Sequence, residues 1–146
     1  MRCFRLGLVI VGLSLAVFAA DSPFSGNWKF RPGKKDTFSS TATVQADDQH
    51  LALDQQIVEE KGQSRTLKFD AKFDGKDYPV SGDPDFNSVS LHRVNDHRIQ
   101  GTWKKDGKKL MTNDVSVSQD GKTTTVTFTD YRGKTPRKNT DVYDKQ

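Results

Sequence analysis

The sequence predicts an all-β fold, an antiparallel up-and-down barrel of about eight to ten strands, on three observations. Apolar residues recur with period two through most of the chain beyond residue 20, the pattern of strands with one buried and one wet face. Turn residues interrupt that alternation about every eight to twelve positions, the spacing of short hairpins. No segment keeps the three-four apolar spacing of an amphipathic helix over three turns. Consecutive hairpins make a meander, and a meander buries its apolar face by closing on itself. A β-sandwich is the alternative that the same pattern allows. An outer-membrane barrel is disfavoured, because it requires an outward apolar band and strands of about nine to eleven residues.

The elements follow in order. Trp28 and Phe30 open the series, and a strand lies between the connections Arg31–Asp36 and Asp47–His50. Leu51, Leu53 and Ile57 face inward on His50–Val58. The clearest strand is Thr66–Phe73: Leu67, Phe69, Ala71 and Phe73 share one face, and Thr66, Lys68, Asp70 and Lys72 the other. A short strand over Lys76–Val80 fixes the phase of everything after it. Val89 and Leu91 face inward on Asn87–Val94, and Ile99, Gly101 and Trp103 on Arg98–Lys104. Val115 and Val117 do so on Met111–Ser118, and Val126 and Phe128 on Thr123–Thr129. Val142 or Tyr143 closes the series; two adjacent apolar residues leave the phase open. Asp74-Gly75-Lys76, Asp106-Gly107-Lys108 and Asp120-Gly121-Lys122 mark hairpins, and Gly82-Asp83-Pro84-Asp85 marks a longer loop.

The first nineteen residues read as a secretory signal peptide. Arg2 and Arg5 form a positive opening, and Leu6 to Phe18 is uncharged and apolar or small. That run is too short for a bilayer span of about twenty residues, and Val17-Phe18-Ala19 supplies small residues before a cut after Ala19. Residues 20–146 are then a single domain, expected in a bacterial periplasm or outside the cell. Cleavage removes Cys3, the only cysteine, and with it any disulfide. It also removes Arg2 and Arg5, so the net charge of +4 falls to about +2. Such a balance argues against a nucleic-acid partner. The expected mature chain is a monomer without a transmembrane span.

Gly26-Asn27-Trp28 resembles the Gly-x-Trp opening of lipocalin-like barrels, in which the tryptophan plugs one end. Thr129-Asp130-Tyr131 looks like a second lipocalin signature, but only fifteen residues follow it, too few for the rest of a lipocalin. The chain as a whole resembles a family of uncharacterised exported bacterial proteins. These share the Gly-x-Trp opening, a segment like Asp74 to Pro84 and a late Asp-Gly-Lys followed by threonines, here Asp120 to Thr125. The resemblance implies a lipocalin-like barrel and export. It implies no activity and no catalytic residues.

The residues themselves nominate no chemistry. His50, His92 and His97 lack the spacing of a zinc site. Asp47-Asp48 and Asp83/Asp85 lack the alternating oxygen ligands of a calcium loop. No phosphate loop, dinucleotide fingerprint or nucleophile elbow occurs, and no cofactor is implied. The candidate binding residues are therefore the inward aromatics Trp28, Phe30, Phe69, Phe73, Trp103 and Phe128, with Leu91 and Arg93. Parity puts Arg93 on the face of Val89 and Leu91, where an arginine needs an anionic partner. Either it reaches out of the barrel end or stacks on Trp28, or it clamps a ligand's carboxylate or phosphate.

In a meander alternate turns share an end. The connections after the first, third, fifth, seventh and ninth strands sum to +6, and the others to −3. A basic mouth would suit an anionic amphiphile; lysine-rich turns also serve solubility and edge protection. Three functions remain open from the sequence. The leading one is a non-catalytic barrel that binds a small apolar or amphipathic, even anionic, molecule. The alternative is a solid-core barrel acting through its surface on protein, cell wall or membrane. The third is a hydrolase or isomerase whose site has no motif.

Overall fold

A computed structural model describes residues 22–146. The signal peptide expected over residues 1–19 lies outside the described residues. Ten strands follow one another: β1 Gly26–Phe30, β2 Ser39–Ala46, β3 His50–Val58, β4 Ser64–Lys72, β5 Tyr78–Ser81, β6 Ser88–Asn95, β7 Arg98–Lys105, β8 Lys108–Val117, β9 Thr123–Asp130 and β10 Arg137–Lys145. Each pairs antiparallel with its sequence neighbours, and β10 returns to pair with β1, with Phe30 opposite Tyr143. The molecule is a closed ten-stranded up-and-down barrel, not a sandwich. Closure satisfies the strand edges that an open meander would expose.

Alternation sets which face is inside. On β4, Leu67, Phe69 and Ala71 are buried while Lys68, Asp70 and Lys72 are exposed. The same phase buries Val89 and Leu91 on β6, and Ile99 and Trp103 on β7. On β10 it is Tyr143, not Val142, that enters the core. Its register against Phe30 decides this, because Phe30 is itself inward. Outward positions carry charge, as in the cross-strand pairs Lys68–Asp54 at 3.0 Å and Arg98–Asp114 at 2.5 Å. Exposed pairs of this kind contribute about 0–1 kcal/mol each. Burial of a Leu, Phe or Val side chain contributes about 1.5–3 kcal/mol, so the interior holds the fold. No helix among the described residues is long and apolar enough to cross a membrane.

The wall is not uniform. β5 is four residues long and meets β4 through Lys68–Ser81 and Phe69–Val80, and β6 through Tyr78–Val89 and Pro79–Ser88. Beyond it, Asp74 bridges His92 directly. The turn after β5 is tight: Gly82 has φ +82°, and a Cβ there would overlap the carbonyl oxygen of Thr66. Only glycine tolerates both conditions.

The short strand expected over Lys76–Val80 is present, so the alternate turns do share ends. One end holds the chain's entry into β1 and the turns around Asp48, Gly75, Asp96 and Gly121. The other holds the turns after β1, β3, β5, β7 and β9.

Candidate functional site

Ten strands enclose more than their side chains fill. An apolar chamber of about 140 Å³ lies within the barrel. It opens into a vestibule of about 640 Å³ at the end formed by the turns after β1, β3, β5 and β9. Gln55, Trp103, Phe128 and Tyr143 line both spaces and mark where they meet.

The opposite end is shut. Phe24 and Trp28 are buried and line the chamber floor. The Trp28 indole Nε1–H donates to the Phe24 carbonyl at 2.9 Å, which fixes the ring and satisfies its one polar group. Lys145 Nζ stands 5.5 Å from the centre of the Trp28 ring. Trp28 thus lies at the closed end of the barrel.

At the mouth, Trp103 is clasped between aromatics. Phe69 meets it edge-on at 5.6 Å and 77°, and Phe86 at 5.6 Å and 60°. Phe86 belongs to the turn after β5, and Asp83 holds that turn in place. One carboxylate oxygen accepts from the backbone N–H of Asp85 at 2.7 Å; the other accepts from Arg65 Nη1 at 2.6 Å. Arg132 lies 5.4 Å over Phe86 and donates to Asp85 at 2.9 Å and to Asp130 at 2.7 Å. Hydrogen bonds from Arg132 hold the Asp130 carboxyl down at about 2. Burial pushes the Tyr143 phenol up from its ordinary value, and burial with Asp36 nearby does the same to the Asp141 carboxyl.

The charged residues lining the vestibule are six acids against four bases. Arg65 and Arg132 among the bases are already paired to Asp83 and to Asp85 and Asp130. The excess of lysine at this end therefore lies outside the lining: Lys34, Lys35, Lys61, Lys105, Lys108 and Lys109 do not face the vestibule. Among the described residues no charged side chain lines the chamber.

Of the residues nominated from the sequence, Trp28, Phe69, Leu91, Trp103 and Phe128 come together around the chamber. Phe30 backs the mouth instead, stacked on Phe38 at 4.4 Å and tilted to Tyr143 at 5.7 Å. Phe73 is half-buried at the closed end. Arg93 lies there too, with its guanidinium 6.0 Å over the Phe73 ring. It donates to Asp48 at 3.1 Å and Asp96 at 3.0 Å, so its anionic partners belong to the protein. It lines neither space, and the ring its guanidinium covers is that of Phe73 rather than Trp28.

Sequence reasoning missed the polar residues inside. Gln55 Nε2 donates to Ser40 Oγ at 2.8 Å and to the Tyr143 hydroxyl at 3.2 Å, so the three side chains form a polar cluster inside the barrel. Trp103 Nε1, Asn113 Oδ1 and Thr124 Oγ1 are buried with no hydrogen-bond partner among the described residues. Asn113 sits opposite Gly101, where a Cβ would overlap its Oδ1; the glycine makes room for the amide. The available signal was parity. Gln55 is in phase with Leu53 and Ile57, Asn113 with Val115, and Thr124 with Val126.

Among the described residues no three His, Cys, Asp or Glu side chains gather as a metal site. His92 is exposed, His50 pairs with Asp47 at 2.9 Å, and His97 Nδ1 lies 3.2 Å from the Val117 carbonyl. No protein-family model matches the chain, and no curated protein matches it.

Proposed function

We propose that the protein is an exported, non-catalytic barrel that takes up one small apolar or amphipathic molecule through its open end. The apolar chamber carries this reading. An apolar cavity near 150 Å³ stays dry and accepts a benzene-sized guest, and the chamber here is about 140 Å³. It therefore receives one ring or a short alkyl segment, while the larger vestibule holds the remainder. A binding site is typically a mostly apolar concavity with a few convergent polar groups, which describes this interior.

Its chemistry favours binding over turnover. The chamber lining offers no carboxylate, imidazole or amine to transfer a proton. Of the vestibule acids, Asp83, Asp85 and Asp130 are tied to arginines, and Asp141 accepts from Asn139. Export is supported by Arg2 and Arg5 before the apolar run Leu6 to Phe18 and the small residues ending at Ala19. A periplasmic or extracellular monomer fits a barrel without free strand edges.

Native mass spectrometry of the protein, purified without detergent from an exporting host, tests the reading. The expected result is an added mass that leaves on denaturation, or saturable binding of the neutral dye N-phenyl-1-naphthylamine. An apo mass with no dye binding refutes it and turns the search to surface partners.

A further inference from the structure

Polar atoms buried without partners are rare in native proteins, and each requires an explanation. Three belong to side chains that line this one chamber: Trp103 Nε1, Asn113 Oδ1 and Thr124 Oγ1. Trp103 and Thr124 are themselves more than nine-tenths buried. We infer, resting on the carrier reading above, that the chamber selects an uncharged ligand whose apolar body carries a hydroxyl-type group, one able both to donate and to accept a hydrogen bond.

The atoms define the complement. The indole N–H of Trp103 only donates, Asn113 Oδ1 only accepts, and the threonine hydroxyl does both. A ligand oxygen must take the indole proton, and a ligand proton must reach the amide oxygen. An ether or ketone supplies the first alone. A carboxylate supplies no proton to the Asn113 oxygen, meets the negative end of the amide dipole there, and finds no cation in the lining. An ammonium meets the indole as donor against donor and finds no anion. A hydroxyl meets both demands.

The register brings the pair within common reach. Trp103 lies opposite Met111, and Asn113 is two residues further along the same strand, on the same face. Diagonal neighbours of this kind are about 7–8 Å apart, a gap that long side chains close. Gly101 leaves the space over which the Asn113 amide lies. The Gln55 amide N–H groups are taken up by Ser40 and Tyr143, and the Trp28 indole N–H by Phe24, so neither donor is left for a ligand.

Trp28 thus provides an internal control. In the ¹⁵N-labelled protein, phenol, toluene and benzoate are titrated at neutral pH, following the two indole N–H resonances and measuring affinity by calorimetry. Phenol is expected to bind about tenfold or more tightly than toluene, to move the Trp103 indole proton downfield and to leave that of Trp28 in place. Benzoate is expected not to bind. Asn113→Leu and Thr124→Val, which keep the branching and heavy-atom count of the residues they replace, are each expected to reduce the preference for phenol. Toluene binding as tightly as phenol, with Trp103 unmoved, overturns the hydroxyl requirement and leaves the apolar carrier standing. Benzoate binding more tightly than phenol overturns the neutral ligand. A preference unchanged in both variants overturns the residue assignment. Binding of none of the three overturns this inference and the carrier reading together.

Discussion

Replacing Asn113 by leucine separates stability from binding. Its amide oxygen is buried without a partner in an otherwise apolar lining. A buried acceptor left unmade costs about 1–3 kcal/mol, and leucine removes that cost while keeping the branching and the number of side-chain heavy atoms. Gly101 opposite leaves room for the branched end, because no Cβ occupies the space that Oδ1 now fills. The net gain is thus about 1–3 kcal/mol. At about 4 °C per kcal/mol for a domain of this size, Tm rises by about 4–12 °C. Thermal unfolding followed by circular dichroism measures this, and urea titration checks it through the midpoint at unchanged slope. A Tm below that of the parent would refute the reasoning, since it would mean that the amide holds the barrel together. A rise in Tm accompanied by loss of the phenol preference would show a binding group maintained against stability.

Other perturbations test the frame around the site. Gly82→Ala imposes both a left-handed backbone and an overlap with the Thr66 carbonyl. It should cost about 3 kcal/mol or more, read from the urea midpoint. Asp83→Ala removes the acceptor shared by Arg65 and the Asp85 N–H. About 2–3 kcal/mol should be lost, and Trp103 fluorescence should shift to the red as Phe86 loosens; unchanged emission would show that Asp83 does not seat that turn. Asp141 has its folded pKa raised by burial and by Asp36, so its ionised form weakens the fold at neutral pH and its protonated form does not. Asp141→Asn should therefore raise Tm at neutral pH, with the gain vanishing as pH falls below the carboxyl's pKa. Asp130 has the opposite sign. Its pKa is lowered from 3.8 to about 2, so its stabilisation is present above the unfolded value and fades as pH falls from 3.8 through about 2. Asp130→Asn should flatten the stability profile over that interval.

How much of this was legible depended on whether a residue's type agreed with its phase. The wall of β4 could be read directly, because Leu67, Phe69 and Ala71 alternate with Lys68 and Asp70. The end of β10 could not: Val142 and Tyr143 are adjacent and both apolar, and only pairing against β1 chooses between them. Gln55, Asn113 and Thr124 sat at inward phase but looked like gaps in an apolar pattern. Their meaning depends on neighbours from other strands, Ser40 and Tyr143 for the first and, among the described residues, no hydrogen-bond partner for the Asn113 oxygen or the Thr124 hydroxyl. Arg93 had the inward phase but lies where the register of β6 against β7 shifts, between Arg93 and Asn95. That rim position places it among the acids of the closed end. Charge summed over turns described an end of the molecule, whereas the vestibule is lined by particular residues such as Asp141 on a strand.

The brevity of β5 has a consequence for how the barrel breathes. Proline at position 79 has no N–H to give, and the strand is tied to each side by two residue pairs. Native proteins open first where backbone hydrogen bonds are fewest. Amide exchange around Tyr78–Ser81 should accordingly outpace that of β3 and β8, in a sub-global opening rather than by unfolding of the whole chain. Phe69 and Leu91, on the strands flanking that seam, line the chamber. A fluctuation of this one short strand therefore loosens the chamber wall directly, while the longer strands around it stay paired.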